Sequence, residues 1–179
     1  MLTRSFFLGS QKYGAYWTGD NRSIFEELQG SLAMILQLGN SGHPFGGSDV
    51  PGFLGNPDDD LFVMFYQLGS WYPFFRAHSR SVGWPDSPYG SYDELFGFQD
   101  EPANGDDPFP INPREPWLQT SRVREAIRDA INMRYSLIHY IYTTVEQTSR
   151  TAEPLMRAIW NEFPDEVRFL SNASQFMFG

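Results

Sequence analysis

The chain has 179 residues, no cysteine, and 22 acidic against 13 basic residues, which gives a net charge of −9. This acidic balance argues against a nucleic-acid partner, since binding to phosphates needs a basic stripe, and it favours a neutral or cationic ligand. The missing cysteines exclude disulfides and thiolate metal sites, and the three histidines show no metal-ligand spacing, so we predict neither a metal nor a cofactor. No apolar run reaches the roughly 18 residues of a membrane-spanning helix, so we expect no membrane partner.

The first predicted element is a short strand that ends next to a carboxylate. Tyr13 to Trp17 is rich in aromatic and small residues, which is typical of a covered parallel strand. Gly19 then allows the backbone to turn before Asp20. Two interpretations are open: Asp20 is a catalytic acid at a strand end, or Asp20 or Asn21 caps the helix that follows. The residues alone favour the cap.

An apolar segment is followed by a polar group twice more along the chain. Gly42 to Gly47 reads as a brief strand or turn that leads to Asp49, and the aromatic stretch Trp71 to Phe75 is predicted as a strand ending in Arg76-Ala77-His78. Between these segments the apolar spacing predicts helices over residues 25–38 and 57–68. Alternating strands and helices favour parallel strands covered by helices, so we expect polar sites at the ends of three strands.

The second half of the chain begins with a long segment of different composition. Residues 79–113 are rich in Pro, Gly and acidic residues and show no period, which predicts an irregular loop that is either functional or disordered, and their aromatics favour partial order. From Thr120 to Arg150 a helical period returns, which predicts one long helix or two helices joined at a bend. Val167 to Phe178 reads as an edge strand without partners in the chain.

Five motifs, in order along the chain, resemble glycoside hydrolase family 31. Arg4-Ser5-Phe6-Phe7, Gly9-Ser10-Gln11-Lys12-Tyr13-Gly14 and Trp17-Thr18-Gly19-Asp20-Asn21 resemble the acid/base strand of that family. Phe74-Phe75-Arg76-Ala77-His78 and Arg114-Glu115-Pro116-Trp117-Leu118 are similar to the branch that trims glucose from N-glycans in the endoplasmic reticulum.

The resemblance implies an α/β fold, namely the last strands and helices of a (β/α)8 TIM barrel. Such a barrel needs roughly 250 residues, so the chain is expected to be a piece of a longer enzyme. Residues 1–78 would form the strand and helix units that carry the acid/base, and 79–113 would be an insertion. Residues 114–163 would form the closing helices and 164–179 the start of a following β domain.

The resemblance also implies a role for six residues. Asp20 is expected to be the catalytic acid/base of a retaining α-glucosidase that removes terminal α-linked glucose from oligosaccharides or N-glycans. Five further residues are expected to contact the sugar: Arg4, Trp17, Asp49, Phe53 and His78. Packing remains an equal alternative for Trp17, and a role in loop architecture remains one for Asp49 and Phe53. Arg76 is predicted to be a buried ion-pair or scaffold arginine. For the parent enzyme, the resemblance also implies a regulatory, non-catalytic partner subunit and a location in the lumen of the endoplasmic reticulum.

Three departures from the family pattern accompany this resemblance. The family nucleophile, an aspartate in a Trp-x-Asp-Met-Asn motif, is absent from the sequence, so the chain alone is predicted to be inactive. Pro51-Gly52 replaces a Gly-Gly pair, and the insertion stands where relatives have a short connection. A non-catalytic carbohydrate-binding or scaffold protein derived from the same barrel is the alternative function. The sequon at Asn21 is interpreted as accidental, because a glycan there would block the pocket.

Overall fold

The computed structural model describes residues 1–79, 112–172 and 174–179, so nearly all of the predicted insertion at 79–113 lies outside the described residues. Its first half is organised on a parallel sheet. The strand order is β1-β2-β3, with Leu2 opposite Ala15 and Tyr16 opposite Gly46. The strands are β1 (Leu2–Thr3), β2 (Ala15–Trp17) and β3 (Gly46–Gly47). A parallel bridge between Val50 and Ala77 continues the sheet beyond β3.

Helices cover this sheet, as the alternating pattern predicts. The helices are α1 (Phe25–Asn40), α2 (Asp59–Gly69), α3 (Ser121–Ser136), α4 (Ile138–Thr151) and the short α5 (Ile159–Glu162). Helix α2 begins two residues later than predicted, because the Asp58 carboxylate accepts a hydrogen bond from the Leu61 amide at 2.8 Å and caps the first turn. The two-helix alternative for residues 120–150 is confirmed, with the break at Leu137.

The core lies between the helices and the sheet. Helix α3 packs against α2 through the fully buried Val123 and Ile127, while α1 contributes a stripe that ends in Ile35 and Leu36. Burial of aliphatic and aromatic side chains of this size supplies most of the stability of such a layer. Among the described residues, none of the helices combines the length and apolarity that crossing a bilayer requires.

The strand predicted over Trp71 to Phe75 is wrong. The Trp71 and Tyr72 amides donate to the carbonyls of Leu68 and Gly69, so they close turns and are not available to a strand ladder. Pairing with the sheet starts only at Phe74, whose amide donates to the Gly46 carbonyl of β3, and continues at Ala77, which forms the parallel bridge to Val50. The aromatic run correctly indicated burial, since Tyr72 is fully buried. It did not indicate the conformation of the backbone.

The prediction that the C-terminal segment has no strand partner is also wrong. Strand β4 (Met156–Ala158) pairs antiparallel with β5 (Phe176–Phe178). The ring of Trp71 stands edge-on to Phe176 and Phe178, with ring centroids 6.1 and 4.9 Å apart. The end of the described chain is therefore packed onto its first half, while a domain boundary at residue 164 stays a prediction.

Candidate active site

Arg4 and Asp20 meet at the edge of the sheet where β1 and β2 end. Arg4 Nη1 lies 3.5 Å from Asp20 Oδ2, and the two side chains are 51% and 14% exposed. Gly19 makes this approach possible, because it has a φ of 94° and a Cβ at this position would lie 2.7 Å from Arg4 Nε. The acid/base candidate is therefore presented by a turn that only glycine accommodates.

Asp49 lies in the loop that follows β3 and is only 1% exposed. Arg76 donates a hydrogen bond to its Oδ1 at 2.8 Å, whereas its buried Oδ2 has no hydrogen-bond partner among the described residues. Burial raises the pKa of Asp49 to about 6, against the opposing effect of Arg76, and the charge of Asp20 adds to the rise. The predicted ion pair of Arg76 is confirmed, but its side chain is 27% exposed and not buried.

The Arg76 guanidinium also connects Asp49 to the aromatic part of the site. It lies over the ring of Trp17, 5.4 Å from the ring centroid, which is a cation–π geometry. Trp17 is therefore in contact with the charged cluster and is only partly buried. Its position fits both alternatives that the sequence left open, packing and a wall of the pocket.

Phe53 and His78 form a third pair at the same edge. Their ring centroids are 5.3 Å apart, and Phe53 is buried beneath the partly exposed imidazole. Burial and the nearby positive charge of Arg76 lower the pKa of His78, although Asp20 opposes the shift. The imidazole is therefore neutral near pH 7, when it offers one donor and one acceptor.

The prediction that Asp20 or Asn21 caps the next helix is wrong, because α1 begins at Phe25 after Ile24 and has no side-chain cap. Asn21 has another role, which the sequence did not predict. Its amide donates to Ser48 Oγ at 3.0 Å and to the Asp49 carbonyl at 3.1 Å, and its side-chain oxygen accepts from the Phe53 amide at 3.2 Å. These bonds join the Asp20 turn to the loop of Asp49 and Phe53. At 8% exposure Asn21 has no room for a glycan, which agrees with an accidental sequon. The only feature of the sequence that pointed to this role was the position of Asn21, a polar residue directly after the acid candidate Asp20.

All six predicted site residues thus lie at one edge of the sheet. Guanidinium donors, a neutral imidazole, carboxylates and aromatic rings are the groups that bind and protonate a neutral polyhydroxylated ligand. Within the described ranges, no group of His, Cys, Asp or Glu side chains is placed to hold a metal ion. The individual roles of the six residues stay predictions.

Comparison with protein families identifies the fold. Residues 1–97 and 105–144 match the model of the Glycosyl hydrolases family 31 TIM-barrel domain. The chain belongs to glycoside hydrolase family 31. Its parallel strands with covering helices are accordingly a part of the family's TIM barrel, which confirms the predicted fold class.

Relatives in family 31 extend far beyond this chain. A probable glucan 1,3-alpha-glucosidase from Oryza sativa subsp. japonica is 41% identical over 100% of the chain, which spans 16% of that protein. Crystal structures of a glucosidase II alpha subunit, one Glc1Man2-bound and one in a heterodimeric complex with the binding domain of a regulatory subunit, are 35% identical. Each has a TM-score of 0.81 over 99% of this chain and 16% of the subunit.

A structure with lower sequence identity also shares the fold. The cycloalternan-degrading enzyme from Trueperella pyogenes, in complex with a covalent intermediate, is 25% identical, with a TM-score of 0.78 over 99% of this chain and 22% of the enzyme. The fold of this chain is therefore shared with proteins named as α-glucosidases and with a cycloalternan-degrading enzyme.

Proposed function

We propose that this chain provides the acid/base side of the active site of a retaining α-glucosidase. The observation that carries the proposal is the strand-end cluster in which Asp20 is paired with Arg4 at 3.5 Å, in the electrostatic field shared by Asp49, Arg76 and His78. The α-glucosidase names of its relatives support the same reaction class.

In the proposed reaction Asp20 acts twice. It first donates a proton to the glycosidic oxygen while the bond to the anomeric carbon breaks, so that the leaving alcohol departs neutral. As a carboxylate it then accepts a proton from the water that hydrolyses the glycosyl–enzyme intermediate. The nucleophilic carboxylate is a residue outside this chain, and the covalent intermediate of the Trueperella enzyme supports a two-step route.

Five further residues would hold the glucosyl unit. Arg4 is half exposed and has guanidinium donors directed to the site edge, and the neutral His78 can donate to or accept from a hydroxyl. Asp49 is proposed to accept through its Oδ2, which has no hydrogen-bond partner in the described part of the chain. The rings of Trp17 and Phe53 would cover the apolar face of the sugar.

The proposed substrate is a terminal α-linked glucose of an oligosaccharide or an N-glycan. The Glc1Man2 ligand and the regulatory subunit of the glucosidase II structures support a glycan substrate and a non-catalytic partner for the enzyme that carries this chain. The endoplasmic reticulum lumen is proposed as its compartment on the same ground, since one of these complexes is described as ER glucosidase II.

Azide rescue tests the role of Asp20. In the enzyme that carries this chain, Asp20→Ala should lower kcat/KM for an unactivated glucoside by about 10²- to 10⁴-fold. With a p-nitrophenyl α-glucoside, azide should restore turnover and yield α-glucosyl azide, because this leaving group needs no acid and azide needs no base. A β-azide product would indicate a nucleophile instead of an acid/base.

The exposed Asp129 of α3 offers a matched control. Asp129→Ala should retain full activity without azide dependence. Full activity of Asp20→Ala would disprove the proposal. A complete enzyme that binds glucosides with no turnover in any form would support the alternative, a carbohydrate-binding protein.

A further inference from the structure

Arg114 is a buried arginine that has no role in the reaction proposed above. It opens the motif Arg114-Glu115-Pro116-Trp117-Leu118 and is only 6% exposed. Burial lowers its pKa to about 10, so the guanidinium is still charged at neutral pH. A buried charge costs free energy unless hydrogen bonds compensate it, so the contacts of this side chain indicate what it does.

The guanidinium of Arg114 joins two segments that meet beside the acid/base candidate. Nη1 donates a hydrogen bond to Ser23 Oγ at 3.2 Å, and Nη2 donates to the Gly55 carbonyl. Ser23 comes three residues after Asp20, and Gly55 comes six residues after Asp49. Because the planar guanidinium holds its donors in a fixed fork, one side chain can keep both segments in a single arrangement.

The same two segments pair with each other through their backbones. Arg22 and Leu54 form a parallel bridge. The Ser23 amide donates to the Leu54 carbonyl at 2.8 Å, and the Leu54 amide donates to the Asn21 carbonyl at 3.0 Å. Both segments run in the same direction, so Arg114 binds this short ladder at its C-terminal end. Asp20 directly precedes the other end.

Arg114 is itself held by the core. The Tyr66 hydroxyl of α2 donates to its carbonyl at 3.1 Å, and Tyr66 is 1% exposed and stacked on Phe62 at 5.5 Å between ring centroids. Two residues before Arg114, the Asn112 amide donates to the side-chain oxygen of Asn56 at 2.8 Å. These contacts all join residues of this chain, so they do not depend on the parts of the enzyme that lie outside it.

We propose that Arg114 is a positioning residue for Asp20, which fixes the direction in which the chain leaves the Asp20 turn. The inference rests on the acid/base role proposed for Asp20. A general acid must lie within hydrogen-bond reach of the atom that it protonates, and a displacement of about 1 Å can cost about 100-fold in rate. Loss of Arg114 should therefore impair the transfer of the proton to the leaving oxygen.

The test compares two substrates of the enzyme that carries this chain. The first is nigerose or maltose, whichever the intact enzyme cleaves faster, and Arg114→Met should lower its kcat/KM by about 10- to 100-fold. The second is p-nitrophenyl α-glucoside, whose leaving group departs without a proton, so its kcat/KM should fall by less than about threefold. A smaller folded fraction lowers both values equally. Equal losses for the two substrates would therefore overturn the proposal.

Ser23→Ala is a milder variant that removes only the hydroxyl to which Arg114 donates. It should show the same selective loss for the disaccharide, by about three- to tenfold. The exposed Arg128 of α3 provides the control, and Arg128→Met should leave both substrates unaffected. If Arg114→Met does not fold, Ser23→Ala decides alone, and activity equal to that of the parent enzyme would overturn the proposal.

A double variant separates this inference from the proposed function. If Arg114 acts through Asp20, Arg114→Met should cause no further loss of disaccharide hydrolysis in the Asp20→Ala enzyme. Multiplied losses would overturn the role of Arg114 and leave the acid/base role of Asp20 intact. Full activity of Asp20→Ala alone would overturn the acid/base role, and the positioning role with it.

Discussion

Among single residues, Asp49 shows how burial and pairing compete within the site. Its carboxylate is 1% exposed and receives one hydrogen bond from Arg76, and the balance still raises its pKa to about 6. A single arginine thus compensates only part of the desolvation cost. Asp49 therefore changes its charge at a pH well above the ordinary range of an aspartate.

The free energy of unfolding should carry a signature of this residue. The pKa of Asp49 rises from 3.8 to about 6 on folding, so the folded chain holds this proton more tightly and loses about 3 kcal/mol of stability as pH rises from about 4 to about 7. Asp49→Asn cannot ionise and should lack this loss. Urea unfolding at several pH values should therefore show that the free energy of unfolding of the variant rises relative to that of the parent chain as pH increases.

Asp129→Asn is the matched control, because Asp129 is an exposed aspartate on α3. Its difference from the parent chain should stay constant over the same pH range. A constant difference for Asp49→Asn as well would mean that Asp49 is not desolvated in solution.

The sequence could indicate which residues carry chemistry but not which ones hold them in place. Asp20, Asp49 and His78 follow apolar segments, and this pattern predicted that they lie at strand ends, whereas Arg4 was indicated only by the resemblance. The role of Asn21 depends on Ser48 and Phe53, 27 and 32 positions away, and no local pattern reports such contacts.

At the scale of elements, helix α3 holds the turn that leads into the site. Arg134 Nη1 donates to the carbonyls of Ser70 and Tyr72, each at 2.8 Å, and its guanidinium lies 5.6 Å from the ring centroid of Phe75. The turn is directly followed by the segment that carries Arg76 and the pairing residue Ala77. A helix on the outside of the sheet thereby fixes the position of site residues.

Replacement of this arginine should loosen the turn. Arg134→Met keeps an unbranched side chain of similar length but leaves the two carbonyls without their charged donor. We therefore expect a loss of about 2 kcal/mol in the free energy of unfolding, as measured by denaturant unfolding. Arg128→Met, an exposed position of the same helix, should change stability by less than about 0.5 kcal/mol. Equal effects of both variants would contradict the role of Arg134.

Secondary structure was predicted correctly where apolar residues repeat at helical spacing over a long segment. Helices α1, α3 and α4 repeat their apolar residues over several turns, which fixes their type. The segment from Trp71 to Phe75 offered only aromatic density. The amides of Trp71 and Tyr72 bond to the end of the preceding helix, and only Phe74 bonds to the sheet. Short strands of two or three residues, such as β1 and β3, carry no period of their own and depend on their neighbours.

For the whole molecule, the parallel strands form one wall of a barrel and not a closed ring. The order β1-β2-β3, extended by the Val50–Ala77 bridge, brings the strand ends to a single edge. A retaining mechanism needs a second carboxyl group about 5 to 5.5 Å from the acid/base. In the proposed enzyme that group is contributed by residues beyond these 179.

The isolated chain should therefore fail to hydrolyse an aryl α-glucoside. Release of p-nitrophenol by purified residues 1–179 is the measurement, with the intact enzyme as the positive control. Turnover by the isolated chain that disappears in Asp20→Asn would contradict the proposed division of the active site.

The buried position of Asn21 sets an order of events during biosynthesis. Its side chain fills the space between Ser48, Asp49 and Phe53, yet Asn21-Arg22-Ser23 is a signal that oligosaccharyl transfer reads on an unfolded chain. Attachment of a glycan and closure of this loop exclude one another. In any compartment that carries out this modification, the yield of folded protein would depend on the rate of glycan transfer relative to the rate at which this loop folds.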